Sequence, residues 1–500
     1  MDKEFITDVI SGNRITKSTT DVMNNNSWGR MRKNNDRREY AKDIHMNARD
    51  NVSSPLLDFR WAPHQWEDPL TGTQVVKLSP DQPLHFRNVY FRTPLFTPDG
   101  RTMLMGAVSP DWDFCRFDDP SRADCRVVES QLIALDLLNG ETTNLGSFKA
   151  GVNGLWFAAA PRGRIVHVIV NCGDHEEIEQ IEIDSGRRRR IVPSIPFRFI
   201  WEAECSADLR YIYTPSVPFP NPAGMSNTET YHRGATLIQR STMYRIDLET
   251  GETTTAFDVN WSLAHPNPNP VRPELFMCCQ DGDMSQPGYQ RVRVMDFVSD
   301  RWLDMPWWLR EASCGHEMWS ANGRAVYCHG GFHGWQIINR FRFNHGAWEL
   351  FVVPIGAGDS AHLHVAPDEA FLIGEGKNWG WNTEHEAAGN AGDGDNPWAF
   401  DGVGCHSLGE VIWKFELPQE SLLMPGHGFR RRDDLLAPVY RNPDKVVRTT
   451  PLCRFRSLAR LLNKPMRLEN NTVVTPDSRW AVIQSCSEKG LFELWAARVT

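Results

Sequence analysis

Three histidines stand at one repeated position of this chain, which is where its chemistry is to be sought. Short apolar runs meet turns at Pro98-Asp99-Gly100, Pro161-Arg162-Gly163, Ala207-Asp208, Arg272-Pro273, Ala321-Asn322-Gly323, Pro367-Asp368 and Pro476-Asp477-Ser478. Counting back six residues from the Asp place of each turn gives Thr93, Trp156, Glu202, His316, His362 and Asn471. In the Pro-rich fourth repeat the count is one longer and gives His265. Glu204 and His364 lie two residues further along their strands. Imidazoles and carboxylates converging on one channel suit a divalent metal or acid–base chemistry. In His362-Leu363-His364 the alternation of a strand places both rings on one face, as a chelate needs. The alternative is a set of buried histidines bonded to backbone between repeats. The 19 Trp suit stacking on sugar rings, although most are expected to fill the core.

The elements that would position these residues are strands. Each turn is followed by a strand-like run, such as Thr102–Ala107, Ile165–Val170 or Trp480–Ile483, and most repeats add a third. Two third runs end in the hairpin signals Asn139-Gly140 and Thr250-Gly251. Strands of about five residues at a period of roughly 45–65 predict propeller blades. The expected fold is all-β: a seven-bladed β-propeller closed by an N-terminal strand, Gln74–Leu78, with loop and short-helix insertions. Residues 1–54, polar and without periodicity, are expected to be a disordered or loosely docked arm, and 55–500 the propeller. Insertions are expected at 377–410, rich in Gly and Trp, and at 418–469, with a short helix at Leu458–Leu462. Arg187–Arg190 reads as a solvated hairpin tip.

The net charge of −9 gives no support for nucleic-acid binding. No run approaches the ~18 apolar residues of a membrane span, and the first residues lack the apolar core of a secretory signal, so a cytoplasmic protein is expected. The 11 Cys show no zinc-like spacing, and adjacent Cys278 and Cys279 read as buried reduced thiols.

With these motifs in hand, the chain resembles the oligogalacturonate lyases, seven-bladed propeller enzymes of pectin degradation. The likeness runs from about Trp66 to the C-terminus. It rests on Asp68-Pro69-Leu70-Thr71-Gly72, Phe96-Thr97-Pro98-Asp99-Gly100, Tyr244 to Glu252, His265-Pro266, Ser360-Ala361-His362-Leu363 and, most specifically, Gly315-His316-Glu317-Met318-Trp319. The resemblance implies β-elimination on a short uronate chain, a carbohydrate lyase activity with manganese as the divalent metal. It implies His265 as the base, Arg240 or Arg245 as the group that holds substrate or stabilises charge, and His316 as a metal ligand. Glu202 and its neighbour Trp201 are assigned to the substrate. The sequence departs from the family where further metal ligands are expected: Met466, Glu469 and Asn471 replace a Gln-x-x-His-x-His string, and Phe455 replaces a nearby His. A rebuilt site would draw on His362, His364, Glu469 and Asn471 beside His316. The partner expected is a uronate oligosaccharide, with neither nucleic acid nor membrane. The alternatives are a propeller of different glycan specificity without metal and a catalytically silent propeller that binds a sugar or a protein.

Overall fold

A computed structural model describes residues 54–499, leaving aside 70, 90–91, 111–127, 151–156, 160–162, 173–174, 196–202, 217–239, 282–289, 304–312, 333–334, 344–346, 354–359, 377–410, 419–421, 424–445, 455–470 and 488. Residues 1–53 of the expected arm, the Gly/Trp-rich segment and the helix expected at Leu458–Leu462 therefore lie outside the described residues.

Seven antiparallel sheets form a ring of blades. Blade 1 spans His85–Ala150, blade 2 Phe157–Ile195, blade 3 Glu204–Val259 and blade 4 Ser262–Trp302. Blade 5 runs from Ser313 to Val352 and gains a short strand, Leu422–Leu423, on its edge. Blade 6 takes Ser360–Val365, Leu372–Gly376 and Val411–Glu416, and its fourth strand, Arg448–Arg454, comes from within the segment expected to be an insertion. A long connection can return to its sheet at small entropic cost, so sequence distance hid this strand.

Blade 7 joins the two ends of the propeller. Val473–Val474, Trp480–Cys486 and Phe492–Arg498 are followed in the sheet by Gln74–Lys77 and Gln65–Glu67. Val76 pairs with Ala496, so the N-terminal strand closes the C-terminal blade as expected. The preceding segment is anchored too. Leu57 N–H donates to Asp477 Oδ2 (2.8 Å), Trp480 Nε1 donates to the Leu57 carbonyl (2.9 Å), and Phe59 meets Trp480 edge to face at 4.9 Å.

The turns between first and second strands repeat one design. Asp99, Asp208, Asn322, Asp368 and Asp477 each accept a backbone N–H two residues on. The following residue is left-handed in several repeats: Gly100, Leu209, Gly323, Glu369 and Ser478. These are the side-chain-supported turns that Asp and Asn favour. Apolar strand faces pack blade against blade, as in the cluster that includes Val168, Phe157, Tyr327, Leu363 and Phe415. The Arg187–Arg190 run is exposed, and three of its guanidinium groups pair with Glu182, Glu179 and Glu177 on the neighbouring strand. Cys278 and Cys279 are buried and outside any disulfide.

Candidate active site

The register position found by counting back from the turns has a conformation of its own. His265, His316, His362 and Asn471 all have positive φ, between 45° and 55°. In blades 4, 5 and 6 the strand register jumps around them, between Ala264 and Asn267, Gly315 and Met318, and Ala361 and His364. Each of these three is thus a β-bulge in an inner strand, which turns one side chain out of the normal alternation. Left-handed backbone costs a non-glycine residue roughly 1–2 kcal/mol. The conformation recurs at this one register position in four successive blades. At the matching places of the other blades, Thr93 is described, whereas Trp156 and Glu202 lie outside the described residues.

The bulge in blade 5 presents two neighbours in different directions. His265 Nδ1 lies 2.8 Å from Glu317 Oε1, across the blade 4–blade 5 boundary. The carboxylate has no exposure, and its other oxygen accepts from Arg291 Nε at 3.2 Å. Arg291 also reaches Asp281 Oδ1 at 3.3 Å. Burial opposes charge on Glu317, but Arg291 outweighs it, together with His265 and Arg92 from blade 1, and the carboxyl is held far below its ordinary range. With Nδ1 engaged by an ionised carboxylate, His265 keeps Nε2 as its other nitrogen. The Cys279 thiol stands close by: its sulfur, one His265 nitrogen and a Glu317 oxygen all lie within 4.8 Å of one another.

His316 turns to a second group. Its Nδ1 is 2.6 Å from His329 Nε2, and its ring centroid is 3.9 Å from that of His362. Burial, followed by the neighbouring His362, His329 and Arg291, pushes His316 well below the usual imidazole range. Burial brings His329 down to about 3. These rings are therefore neutral and offer nitrogen lone pairs. Asn471 completes the run of strained positions, and Asn88 Nδ2 donates to its carbonyl.

The bulge separates His362 from His364. His364 does not join its neighbour on one face, as simple alternation predicted; its Nδ1 accepts the N–H of Val474 on blade 7 at 3.2 Å. Arg240 is exposed and pairs with Asp258 at 3.2 Å, and Arg245 lies over the Tyr211 ring at 4.6 Å. The arginines brought to Glu317 are instead Arg291 and Arg92. Glu204 accepts from the Thr93 hydroxyl, joining blades 3 and 1. Trp201, Glu202, Met466 and Glu469 lie outside the described residues. Sequence reasoning missed Glu317, Arg291 and His329. Glu317 had a signal, since it follows His316 within the motif; His329 sits on a second strand and Arg291 just before a third, where no repeat register marks them.

Comparison with known proteins agrees with this architecture. No protein-family model matches the chain. It is 24% identical over 267 residues to a curated oligogalacturonate lyase of Dickeya dadantii (strain 3937), a match covering 53% of this chain and 62% of that protein. A solved oligogalacturonate lyase in complex with manganese superposes with a TM-score of 0.60 at 16% identity, over 87% of this chain and 96% of that one. An oligogalacturonate lyase from Vibrio parahaemolyticus gives a TM-score of 0.62 at 15% identity, with the same coverage. The chain is thus similar in sequence, over less than two thirds of the curated relative's length, and in its seven-bladed fold to oligogalacturonate lyases.

Proposed function

We propose that this protein cleaves a short uronate oligosaccharide by β-elimination, with His265 as the base. The observation that carries the reading is the strained His265 locked through Nδ1 to a fully buried, arginine-clamped Glu317. The C5 proton of a uronate is α to its carboxylate. His265 Nε2 accepts that proton, the C5–H electrons form the C4=C5 double bond, and the C4–O bond breaks. The departing oxygen takes a proton from water or from the imidazolium. Glu317 holds the ring in one tautomer and stabilises its positive charge, the role a buried carboxylate plays toward a catalytic histidine elsewhere. Arg291, shared with Asp281, keeps Glu317 ionised and fixes its position.

His316 and His362, with the Asn471 amide next in the ring, would hold a divalent cation. Two imidazoles in contact, one of them neutral and bonded through Nδ1 to His329, form a donor set that suits a divalent transition metal. When bound, such a cation neutralises the uronate carboxylate and makes the neighbouring proton easier to remove. The curated relative's name and the manganese complex of the structural neighbour support this reading. Oligogalacturonate is the substrate proposed, in line with that name.

The test is the ultraviolet absorbance of the unsaturated uronate formed from digalacturonate and trigalacturonate, with and without added manganese. The expected result is a metal-dependent rise, lowered about 10²–10⁴-fold in His265→Ala. Bound manganese, measured separately, should fall in His316→Ala and His362→Ala. No rise on any uronate oligomer, with manganese still bound, would overturn the lyase reading in favour of a propeller that only binds its ligand.

A further inference from the structure

The hairpin tip of blade 2 carries a second cluster of donors, unrelated to the bulge residues of blades 4 to 7. Strands Ile165–Asn171 and Glu176–Glu182 pair antiparallel, with Asn171 opposite Glu176. Cys172 and His175 continue that register as the last pair, and the Cys172 N–H donates to the His175 carbonyl at 2.9 Å. Directly opposed residues share a face of a hairpin, and so do residues two apart on one strand. Cys172, His175 and Glu177 are therefore gathered on one face by strand geometry alone. The sulfur, an imidazole nitrogen and a carboxylate oxygen all lie within 4.8 Å of one another.

We propose that Cys172, His175 and Glu177 form a binding site for a zinc-type divalent cation, with solvent at the fourth position. His175 Nε2 and Glu177 Oε1 are 3.1 Å apart. Two ligands on a tetrahedral ion with arms of ~2.0–2.1 Å stand at nearly that separation, about 3.3–3.4 Å. Arg190 Nε binds the other Glu177 oxygen at 2.9 Å, orienting the carboxylate as an outer partner orients a metal ligand. Burial grades across the cluster: the Glu177 side chain is 7% exposed and that of His175 34%, while Cys172 is exposed. The ion would thus sit at the surface with one side open, in the manner of sites with three protein ligands and a water. A thiol beside an imidazole and a carboxylate selects zinc or cobalt over magnesium or manganese. As the sulfur binds, its proton passes to solvent, so affinity rises with pH.

The experiment is a cobalt(II) titration of the metal-free, full-length protein, followed by the near-ultraviolet thiolate-to-cobalt band and the visible bands of tetrahedral cobalt. Zinc should then displace the cobalt and erase both. Wild type and the buried-thiol control Cys279→Ala should give the bands, and Cys172→Ser should lose the thiolate band. His175→Ala and Glu177→Gln should weaken cobalt binding by at least the 10–100-fold that loss of an outer-shell partner costs. Cys172→Ser and His175→Ala, at the more exposed side of the cluster, should leave the thermal midpoint near that of wild type. Absence of the thiolate band in wild type, or its persistence in Cys172→Ser, would overturn the proposal. Both results are independent of whether the protein is a lyase.

Discussion

Glu317 holds the His265 ring through Nδ1. It is buried without exposure, ionised against its burial by Arg291, and bonded to His265 Nδ1, which in the proposed elimination leaves Nε2 to take the proton. Glu317→Gln keeps the shape but removes the charge that steadies an imidazolium. Steady-state kinetics should show kcat falling at least tenfold with KM little changed, the pattern of an interaction made in the transition state. A fall in affinity alone would argue against this role. Two other buried histidines bear on acid stability. Burial lowers His167 to about 4 and His364 to about 3, against an ordinary value of 6.5. In the unfolded chain both take up protons below about pH 6.5, while the folded forms resist. Stability is therefore complete above that pH and lost as pH falls through the interval, by about 1–2 kcal/mol per residue at pH 5. The urea midpoint should drop between pH 7 and pH 5, and drop less in His167→Gln.

At the scale of elements, the bulge and the turn divide the work of each inner strand. The bulge aims a side chain, and the turn six or seven residues later locks the strand to the next blade. Arg164 of blade 2 binds Asp99 of the blade 1 turn at 2.9 Å, and Asn322 of blade 5 donates to Glu369 of blade 6 at 2.6 Å. Two glycines separate the cost of left-handed backbone from the cost of contact. Gly186 and Gly323 have similar φ, 65° and 66°, but a methyl group on Gly186 would meet nothing within 4 Å. On Gly323 it would stand 2.2 Å from Asn269 Oδ1, in a turn where Asn269 Nδ2 already donates to the Gly323 carbonyl at 2.8 Å. Gly186→Ala should cost about 1 kcal/mol by denaturant unfolding, the conformational penalty alone. Gly323→Ala should cost clearly more, because Asn269 must leave a buried turn.

At the scale of the whole molecule, the ring is closed by residues more than 400 positions apart in the chain, Leu57 with Trp480 among them. Phe59 and Leu57 are buried against that closure. Phe59→Ala should therefore lower the unfolding free energy by about 3–5 kcal/mol, as expected for a fully buried aromatic. If the ring unfolds as one unit, fluorescence and circular dichroism should report the same shifted midpoint. A loss confined to one probe would mean that blade 7 opens separately.

The sequence by itself determined the number of blades, the closing strand and the register position at which His265, His316, His362 and Asn471 stand. These are written locally, in turn residues and in a constant count from turn to inner strand, because a propeller repeats one short-range geometry. Only the tertiary structure decided the partners. Glu317 meets a histidine 52 residues away, His329 reaches His316 from the second strand of its own blade, and Arg92 acts on Glu317 from a distant blade. Such meetings depend on how the ring brings strands together, which no local pattern encodes. The bulges also broke the alternation on which the His362–His364 pairing was based. An extra residue in a strand resets every side chain after it, and a count of two cannot show where that happens.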